Sequence, residues 1–263
     1  MKLLIKKGQW EEIILNTLWK KKKLTTHAVA GILNVSECTV RRFFDELEKK
    51  NEVVRIYGGI KLPPDRIGEY FFETLQSTQS EQKRKIGEFG CQLVENGEII
   101  FLDSGTTIQQ MAISLAIRIK KKELRDIQVF TNSLQNLTIL SEYCVVNLIG
   151  GLFRNKRKDF CGHLSEMMLE SVSFEKCFLS ADGISTNSEG SIMATDIFTA
   201  KINQIVSQRT EKFYLLADST KFSRNSFIRY AMVKDVLMIV TDSGLTKTEE
   251  EALSALGPVV KKV

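Results

Sequence analysis

The sequence is poor in the residues that build disulfide and metal sites. It has 5 cysteines and 2 histidines in 263 residues, and no two cysteines form a Cys-x-x-Cys pair. Scattered cysteines in odd number do not make a disulfide framework, and their spacing with the histidines fits no zinc site. We therefore expect reduced thiols, as in a cytoplasm, and neither a metal nor another cofactor.

Long apolar runs are also missing. No stretch approaches the roughly 20 apolar residues of a transmembrane helix. The N-terminal segment, residues 1–7, has too short an apolar run for a signal peptide. We expect a soluble, cytoplasmic protein with no membrane partner. With 43% hydrophobic and 26% charged residues the chain is ordinary for a globular protein, and its length suggests two domains.

Excess charge of one sign is confined to one part of the chain. Residues 1–62 contain 13 lysines and arginines against 7 aspartates and glutamates, a net charge of +6. The remaining residues contain 24 against 25, a net charge of −1. A small basic segment joined to a larger, nearly neutral one suggests a polyanion as its partner, with nucleic acid the leading candidate.

Within the basic segment, the apolar pattern predicts three helices and a hairpin. A helical rhythm spans residues 9–22, Thr25 or Thr26 can cap a second helix, and Ser36 opens a third that runs to about Lys50. Short runs of β-forming residues then flank Gly58 and Gly59, a pattern typical of a tight hairpin. Three helices followed by a hairpin predict a winged helix-turn-helix.

Proline is scarce, and two of the 3 prolines stand together at Pro63 and Pro64. Because proline cannot continue a strand ladder, this pair is expected to mark a domain boundary. We predict a DNA-binding domain over residues 1–62, a linker over 63–80 and an α/β domain over 81–263. A polar helical segment is expected over about residues 66–95.

Apolar runs alternate with helical patterns in the larger segment. Helices are predicted over about 107–120, 162–172 and 195–208. Buried strands are predicted at Ile99–Leu102, Ile127–Phe130, Val145–Ile149, Cys177–Leu179, Phe213–Leu216 and Val236–Val240. Buried strands that alternate with helices favour an α/β fold with a parallel sheet.

Five of these runs are followed by a short polar residue and then serine or glycine. Ligands of open α/β sheets bind beyond the carboxyl ends of the strands, so several such pairs on one edge favour a polar pocket. Taken singly, each pair can also be a turn or a helix cap. The pairs are Asp103-Ser104, Asn132-Ser133, Asp182-Gly183, Asp218-Ser219 and Asp242-Ser243.

The third helix has the chemistry to read DNA. Its apolar seam at Val40, Phe44 and Leu47 faces inward and leaves the arginines outside, where a planar guanidinium fork can match guanine. Lysines 20–23 can touch phosphates or can simply form a solvated helix end, and the sequence leaves both open. The candidate DNA-binding residues are Ser36, Thr39, Arg41, Arg42, Arg55 and Tyr57.

The motifs of residues 34–60 together resemble the DeoR repressor signature. That signature has a Val-Ser, a Thr-Ile-Arg-Arg-Asp-Leu helix and an Arg-x-His-Gly-Gly-Ala wing, which here read Val35-Ser36, residues 39–44 and residues 55–60. Phe43 and Phe44 replace the Asp-Leu, and Tyr57 replaces the histidine. The resemblance implies a transcriptional repressor that binds double-stranded operator DNA as a homo-oligomer, a dimer or a tetramer.

Later motifs resemble the sensor domain of the same family in the family's order, from Lys83 to Asp242. The resemblance implies a fold similar to ribose-phosphate isomerases, a phosphorylated sugar effector and control of carbohydrate metabolism genes. A strand-to-helix loop with free N–H groups, such as residues 104–107, suits a phosphate, and acceptor-rich side chains suit sugar hydroxyls. The expected effector-binding residues are Asp103, Ser104, Gly105, Thr106, Thr107, Asn132, Arg154, Asp182, Gly183 and Lys221.

The alternative is a sugar-phosphate isomerase-like enzyme. Asp103, Asp182, Glu189 and Lys221 could form an acid/base set for such chemistry. The isomerases, however, have an Asp-Gly-Ala-Asp-Glu run where this chain reads Asp-Gly-Ile-Ser-Thr at residues 182–186, without the second pair of carboxylates. We therefore predict a regulator and no enzyme.

Overall fold

A computed structural model describes residues 10–21, 23–50, 52–61, 72–187 and 189–263. The chain divides into two compact units, Met1–Tyr70 and Phe71–Val263. In the ranges just given, no helix combines the length and apolarity needed to cross a bilayer.

The first unit has the predicted three helices and hairpin, with one additional strand. The helices are α1 (Trp10–Lys21), α2 (Thr26–Leu33) and α3 (Glu37–Lys49), and the strands are β1 (Lys23–Thr25), β2 (Val54–Ile56) and β3 (Gly59–Lys61). The three strands form an antiparallel sheet in the order β1-β3-β2. This is a winged helix-turn-helix, as the sequence predicts.

Caps and a small core hold the first unit together. Thr25 caps α2 by accepting a hydrogen bond from the Ala28 N–H, and Ser36 caps α3 by accepting one from the Thr39 N–H. The inward seam of α3 includes Phe43 as well as the predicted residues, because the Phe43 ring packs edge-on against Trp10. These side chains join the apolar residues of α1, α2 and β3 in one cluster.

The second unit is built on a seven-stranded parallel sheet in the order β15-β14-β12-β9-β4-β5-β6. Its strands are β4 (Ile99–Leu102), β5 (Gln128–Thr131), β6 (Val145–Leu148), β9 (Phe174–Leu179), β12 (Thr210–Leu216), β14 (Met238–Thr241) and β15 (Val259–Lys262). All six predicted strands are present, and the α/β fold class is confirmed. Buried apolar clusters lie on both faces of the sheet.

Helices and two small sheets complete this unit. The helices are α4 (Phe72–Gln76), α5 (Ser80–Gln92), α6 (Thr106–Lys120), α7 (Leu134–Leu140), α8 (His163–Glu170), α9 (Ile197–Gln208) and α10 (Lys247–Ala255). One small sheet is a hairpin of β7 (Leu152–Arg154) and β8 (Asp159–Cys161). The other has the order β10-β11-β13, formed by β10 (Gly183–Ile184), β11 (Ser191–Ala194) and β13 (Ile228–Met232).

The start of the second unit differs from the predicted linker boundary. Residues 62–71, which include the proline pair, lie outside the described residues. From Phe72 onward the segment predicted as linker contains α4, within the predicted helical stretch, and it is packed: Phe72 is buried, and the Gln76 side chain donates to the Gln109 side chain at 3.0 Å. The Phe72 N–H also donates to the Lys156 carbonyl at 3.0 Å, which joins this segment to the second unit.

Candidate DNA-binding surface and effector site

The exposed side of α3 presents the predicted DNA-reading residues. Arg41 and Arg42 are exposed, Thr39 is half-buried, and Ser36 lies at the helix start with its hydroxyl 2.9 Å from that of Thr39. Glu37 lies one turn before Arg41, with 3.6 Å between carboxylate and guanidinium. An exposed pair of this kind is worth little, so it leaves Arg41 available to another partner.

Arg55, a candidate DNA-binding residue, is engaged by groups of the first unit itself. Its guanidinium donates to Asp45 at 2.6 Å and to the Arg41 carbonyl at 3.1 Å, and it lies over the Phe44 ring. Arg55 thus ties β2 to α3. Because Asp45 and the Arg41 carbonyl both belong to α3, the Arg55 guanidinium holds α3 against β2.

The turn between β2 and β3 projects an aromatic side chain. Tyr57 is fully exposed, and Gly58 has a φ of +73°, a conformation that favours glycine. A Cβ atom at Gly59 would lie 2.0 Å from the Leu24 carbonyl oxygen, so this glycine is required by the close approach of β1. The wing is therefore a rigid support for one aromatic side chain at its tip.

The lysine run of residues 20–23 is divided between two elements. Lys21 is the last residue of α1 and Lys23 is the first residue of β1, and both are exposed. Lys22 lies outside the described residues, as does the side chain of Lys20. Lys23 therefore belongs to a strand that pairs with β3 opposite Lys61, so a solvated helix end describes Lys21 but not Lys23.

In the second unit, the carboxyl end of β4 leads directly into α6 through residues 103–105. Gly105 is the N-cap of α6 and provides no side-chain cap, so the first N–H groups of this helix have no capping oxygen. Thr106 and Thr107 are the first residues of the helix and are buried. A Cβ atom at Gly105 would lie 2.3 Å from the Ser180 hydroxyl oxygen, so this loop packs closely on the end of β9.

Asp103 fixes this loop from within. One carboxylate oxygen accepts from the Ser104 N–H at 2.6 Å, and the other accepts from the Ser180 N–H at 3.0 Å and from the Ser180 hydroxyl. Burial raises the pKa of Asp103, and the hydrogen bonds from the two serines oppose that shift. Both oxygens are thus engaged inside the protein, and Asp103 does not offer them to sugar hydroxyls as predicted.

Ser104 connects the loop to a buried group of charges that we call the Asp159 cluster: Arg154, Arg157, Asp159 and Asp196. The Ser104 hydroxyl donates to Asp159 at 3.1 Å. Arg154 donates to both Asp159 oxygens, at 2.8 and 2.6 Å, and to Asp196 at 2.7 Å. Arg157 lies 3.0 Å from Asp196.

Arg154, an expected effector-binding residue, is thus engaged by side chains of its own unit. Its guanidinium is held by two carboxylates and by the Thr199 hydroxyl at 3.1 Å. Although burial opposes it, the field of Arg157 and Arg154 lowers the pKa of Asp196. Asp159 is fully buried at the centre of the cluster, and sequence reasoning missed it because no strand end or glycine marks it.

Two asparagines line the ends of β4 and β5. Asn132 donates its amide N–H to the Phe160 carbonyl at 3.0 Å, while its buried amide oxygen has no hydrogen-bond partner. Asn136 donates to the Asp103 carbonyl at 2.9 Å and to Thr131 at 3.2 Å, and its buried amide oxygen is likewise unpaired. Unpaired buried acceptors are costly, so these oxygens mark a place where a donor is expected.

The ends of β9 and β12 contribute the remaining predicted residues. Asp182 accepts from the Thr195 N–H and hydroxyl, both at 2.8 Å, and Gly183 is buried against the backbone of Arg224. Lys221 ends a short 3-10 turn, residues 219–221, that Asp218 caps. Asp182 is thus a positioning residue for β11.

A buried lysine lies near Lys221. Lys83, in α5, donates to the Leu75 carbonyl at 2.7 Å and is 4% exposed. Burial lowers the pKa of Lys83 to about 8; Asp218 opposes this shift, and the positive charge of Lys221 adds to it. In the sequence, Lys83 is visible only as the first residue of the motifs that resemble the sensor domain. Nothing in the sequence shows that its ammonium group is buried.

The acid/base set of the enzyme alternative is not brought together by these interactions. Glu189 is exposed and lies 3.9 Å from Arg229. Asp103 and Asp182 are each held by hydroxyl and N–H groups of their own neighbourhood. Among the described residues, no group of three or more His, Cys, Asp or Glu side chains is arranged to hold a metal ion.

Two family models match this chain in the order of its two units. The DeoR-like helix-turn-helix domain matches residues 11–65, and the DeoR C terminal sensor domain matches residues 78–243. This chain belongs to the DeoR family. It is a transcriptional repressor with a DNA-binding helix-turn-helix.

Relatives with regulatory names match most of this DeoR-family chain. It is 32% identical over 245 residues to the lactose phosphotransferase system repressor of Streptococcus mutans, covering 90% of this chain and 93% of that one. It is 28% identical over 216 residues to the transcriptional regulator IolR of Bacillus subtilis, covering 81% and 82%. Ribose 5-phosphate isomerase A of Methanocaldococcus jannaschii aligns over 55% of each chain at 18% identity, with a TM-score of 0.42.

Proposed function

We propose that a phosphorylated sugar is the effector of this repressor and that its phosphate binds at the N-terminus of α6. The observation that carries the proposal is the loop of residues 103–107. It combines uncapped N–H groups with the hydroxyls of Thr106 and Thr107 at the positive end of a 15-residue helix, next to the Ser104 hydroxyl that donates to Asp159. A dianionic phosphate supplies the acceptors that the uncapped N–H groups lack.

Positive charge near the carboxyl ends of the strands supports an anion as ligand. Lys221 and the buried Lys83 are close enough for the charge of one to lower the pKa of the other. A bound phosphate would relieve this repulsion and favour the charged form of both side chains. Lys221 is half-buried on a turn after β12, where a point charge can reach a ligand beyond the sheet edge.

The sugar part requires polar groups beyond the phosphate loop. The unpaired amide oxygen of Asn132 accepts a hydrogen bond from a sugar hydroxyl in this proposal. Asp103, Asp182 and Arg154 do not contact the ligand in this proposal. Each holds a loop or a strand end in place through the hydrogen bonds described above. The effector set thus separates into groups that touch the ligand and groups that position them.

At the level of the whole repressor, we propose that effector binding changes operator affinity at carbohydrate metabolism genes. The relative from Streptococcus mutans is named for a lactose phosphotransferase system, which supports sugar-related targets. One winged helix per chain has a small contact surface on DNA, so a homo-oligomer on a symmetric operator is expected.

Calorimetry and gel shifts on purified variants test the effector. A panel of hexose and pentose phosphates is titrated beside the parent sugars, with an operator fragment selected from a random pool by the wild-type protein. We expect a phosphorylated sugar to bind and to change operator affinity, whereas its parent sugar has no effect. Lys221→Ala should remove this response and leave effector-free DNA binding nearly intact, because the DNA-binding residues belong to the other unit.

The matched control is Lys234→Ala, since Lys234 is an exposed lysine in the other described 3-10 turn of this unit. It should respond like the wild type. Gly105→Val is a less direct probe, because its side chain would collide with Ser180 and disturb the Asp103 hydrogen bonds. Equal binding of the parent sugar, or a full response in Lys221→Ala, contradicts the phosphate site.

A further inference from the structure

An exposed apolar surface lies on one side of the second unit. Three of its residues, Leu164, Met167 and Met168, share a face of α8 at i, i+3 and i+4. The inward face of the same helix buries Ser165 and Leu169, so the outer residues are left over after the core is formed. We call the whole set the apolar face, and its six members are Leu152, Leu164, Met167, Met168, Ile197 and Phe198.

The members of the apolar face are neighbours. Leu152, in β7, is paired with Cys161, and its Cβ lies 3.9 Å from the Cβ position at Gly162, the N-cap of α8. Helix α8 packs against α9, whose first two residues are Ile197 and Phe198. The hairpin also adjoins the start of α9, because Arg154 in β7 donates to Asp196, the N-cap of α9, and lies 6.0 Å from the centre of the Phe198 ring. The hairpin, α8 and the first turn of α9 are therefore neighbours on this side of the unit.

The size of this surface is close to what a stable interface needs. Its residues are between 41% and 66% exposed. Six large apolar side chains at this exposure present several hundred Å² together, at or above the roughly 300–600 Å² of the largest apolar patch on a typical monomer, a patch that is often functional. A typical interface buries about 800 Å² per partner, so this surface could form most of one.

We propose that the apolar face is the surface through which two copies of this chain associate. A second copy is the partner that the repressor requires, because a symmetric operator needs two winged helices; this step rests on the proposed homo-oligomer. The rim contains charges of both signs, with Glu170 on α8 and Lys201 on α9 exposed, so one copy does not oppose a like-charged surface on the other. Two-fold pairing of identical patches closes the assembly.

Sedimentation velocity on the full-length protein, without DNA or effector, tests this surface. The wild type is expected at about 60 kDa or a higher multiple of the 29.9 kDa chain at micromolar concentration. Leu164→Glu and Met167→Glu should each raise the dissociation constant at least 100-fold and lower the mass by half or more. Because both side chains are exposed, circular dichroism and melting temperature should stay close to the wild type.

Ile117→Glu is the matched control, since Ile117 is an exposed isoleucine on α6, 50% accessible, outside the apolar face. It should keep the wild-type mass. A wild type that stays monomeric up to 100 µM, α8 variants that keep the wild-type mass, or an equal loss in Ile117→Glu would each overturn the proposal. None of these measurements depends on the effector, so the phosphate site can fail while this surface holds, and the reverse.

Discussion

At Asp103 and Arg154, residue types that bind ligands in other proteins are used to hold the protein's own backbone. Asp103 accepts hydrogen bonds from two serines, and Arg154 bridges Asp159 and Asp196. Removing one partner of a buried ion pair such as Arg154–Asp159 commonly costs about 3–5 kcal/mol because the remaining charge is stranded, and leaving buried donors without an acceptor, as a substitution of Asp103 would, costs about 1–3 kcal/mol. Substitutions at these two positions therefore test the stability of the site before they test its affinity.

Lys83 offers a prediction on pH. Its pKa is about 8 in the folded protein and near 10.5 when unfolded, so the folded state pays the full cost of the buried charge below pH 8. This cost falls as the pH rises from 8 to 10.5. Lys83→Met removes the charge, and its free energy of unfolding relative to the wild type should decline by about 2 kcal/mol between pH 7 and pH 9.5.

Urea unfolding at the two pH values measures this difference. Lys85→Met, at an exposed lysine two residues along α5, is the control and should show no such change. The loss of the hydrogen bond to the Leu75 carbonyl affects both pH values alike, so it does not enter the comparison. A difference that stays constant with pH would mean that the pKa of Lys83 in the folded protein is not lowered from its unfolded value, and it would contradict the prediction.

Arg41 and Arg42 are the residues on which operator specificity is expected to depend. Each is exposed on α3, and each lost bidentate contact to a base should cost roughly 1–3 kcal/mol. Arg41→Ala or Arg42→Ala should thus weaken binding to the selected operator and reduce its preference over a scrambled fragment. Gel shifts measure both. Lys49→Ala, at the far end of the same helix, should change the preference little, and unchanged affinity in both arginine variants would remove them from the interface.

At the scale of elements, the wing and the recognition helix are joined through Arg55. If Arg55 positions α3, Arg55→Ala should reduce operator affinity without altering the slope of log K against log salt. Lys23→Ala, at an exposed β1 lysine, should instead flatten the slope by about 0.9 if that lysine touches a phosphate. Filter binding between 50 and 200 mM salt separates the two. A flatter slope for Arg55→Ala would instead show that Arg55 contacts a DNA phosphate.

The elements that sequence reasoning found are those with a strong local signal. Continuous apolar runs such as Ile99–Leu102 are buried on both faces and are read directly. The sheet of β10, β11 and β13 was missed, because β10 has only two residues and because β11 pairs with β13, a strand more than 30 residues further along the chain. Strand β1 was missed for a similar reason: its partner β3 lies 36 residues later, at Gly59 opposite Thr25 and Lys61 opposite Lys23.

The site could be predicted only in part for the same physical reason. The polar pairs that follow the strands can be recognised in the sequence. Their clustering can also be predicted, because parallel strands end on one edge of the sheet. The partners of those residues come from distant elements: Ser180 reaches Asp103 over 77 positions, and Asp159 reaches Ser104 over 55. These long-range contacts decide which of the predicted residues hydrogen-bond within the protein and which are left to bind a ligand.

At the scale of the whole molecule, two compact units predict two unfolding transitions. Scanning calorimetry of the full chain should resolve one for the small unit and one for the large unit, since multidomain chains depart from two-state behaviour. A ligand stabilises the unit that binds it, by about 2.7 kcal/mol at 100 times its dissociation constant. Operator DNA should therefore raise one transition and the sugar phosphate the other, whereas a single transition raised by both would contradict this division.

The hydrogen bond from Ser104 to Asp159 has a consequence for how sensitively such a repressor responds. The same Asp159 cluster that accepts from the phosphate loop also holds Asp196, the cap of α9, and thus the end of the apolar face. An effector that accepts a hydrogen bond from the Ser104 hydroxyl would remove one donor from Asp159. This would change the electrostatics of the Asp159 cluster, which also holds the first turn of α9 in the apolar face. Because thermodynamic coupling is reciprocal, the apparent affinity for the effector would then depend on how many copies of the repressor the cell contains.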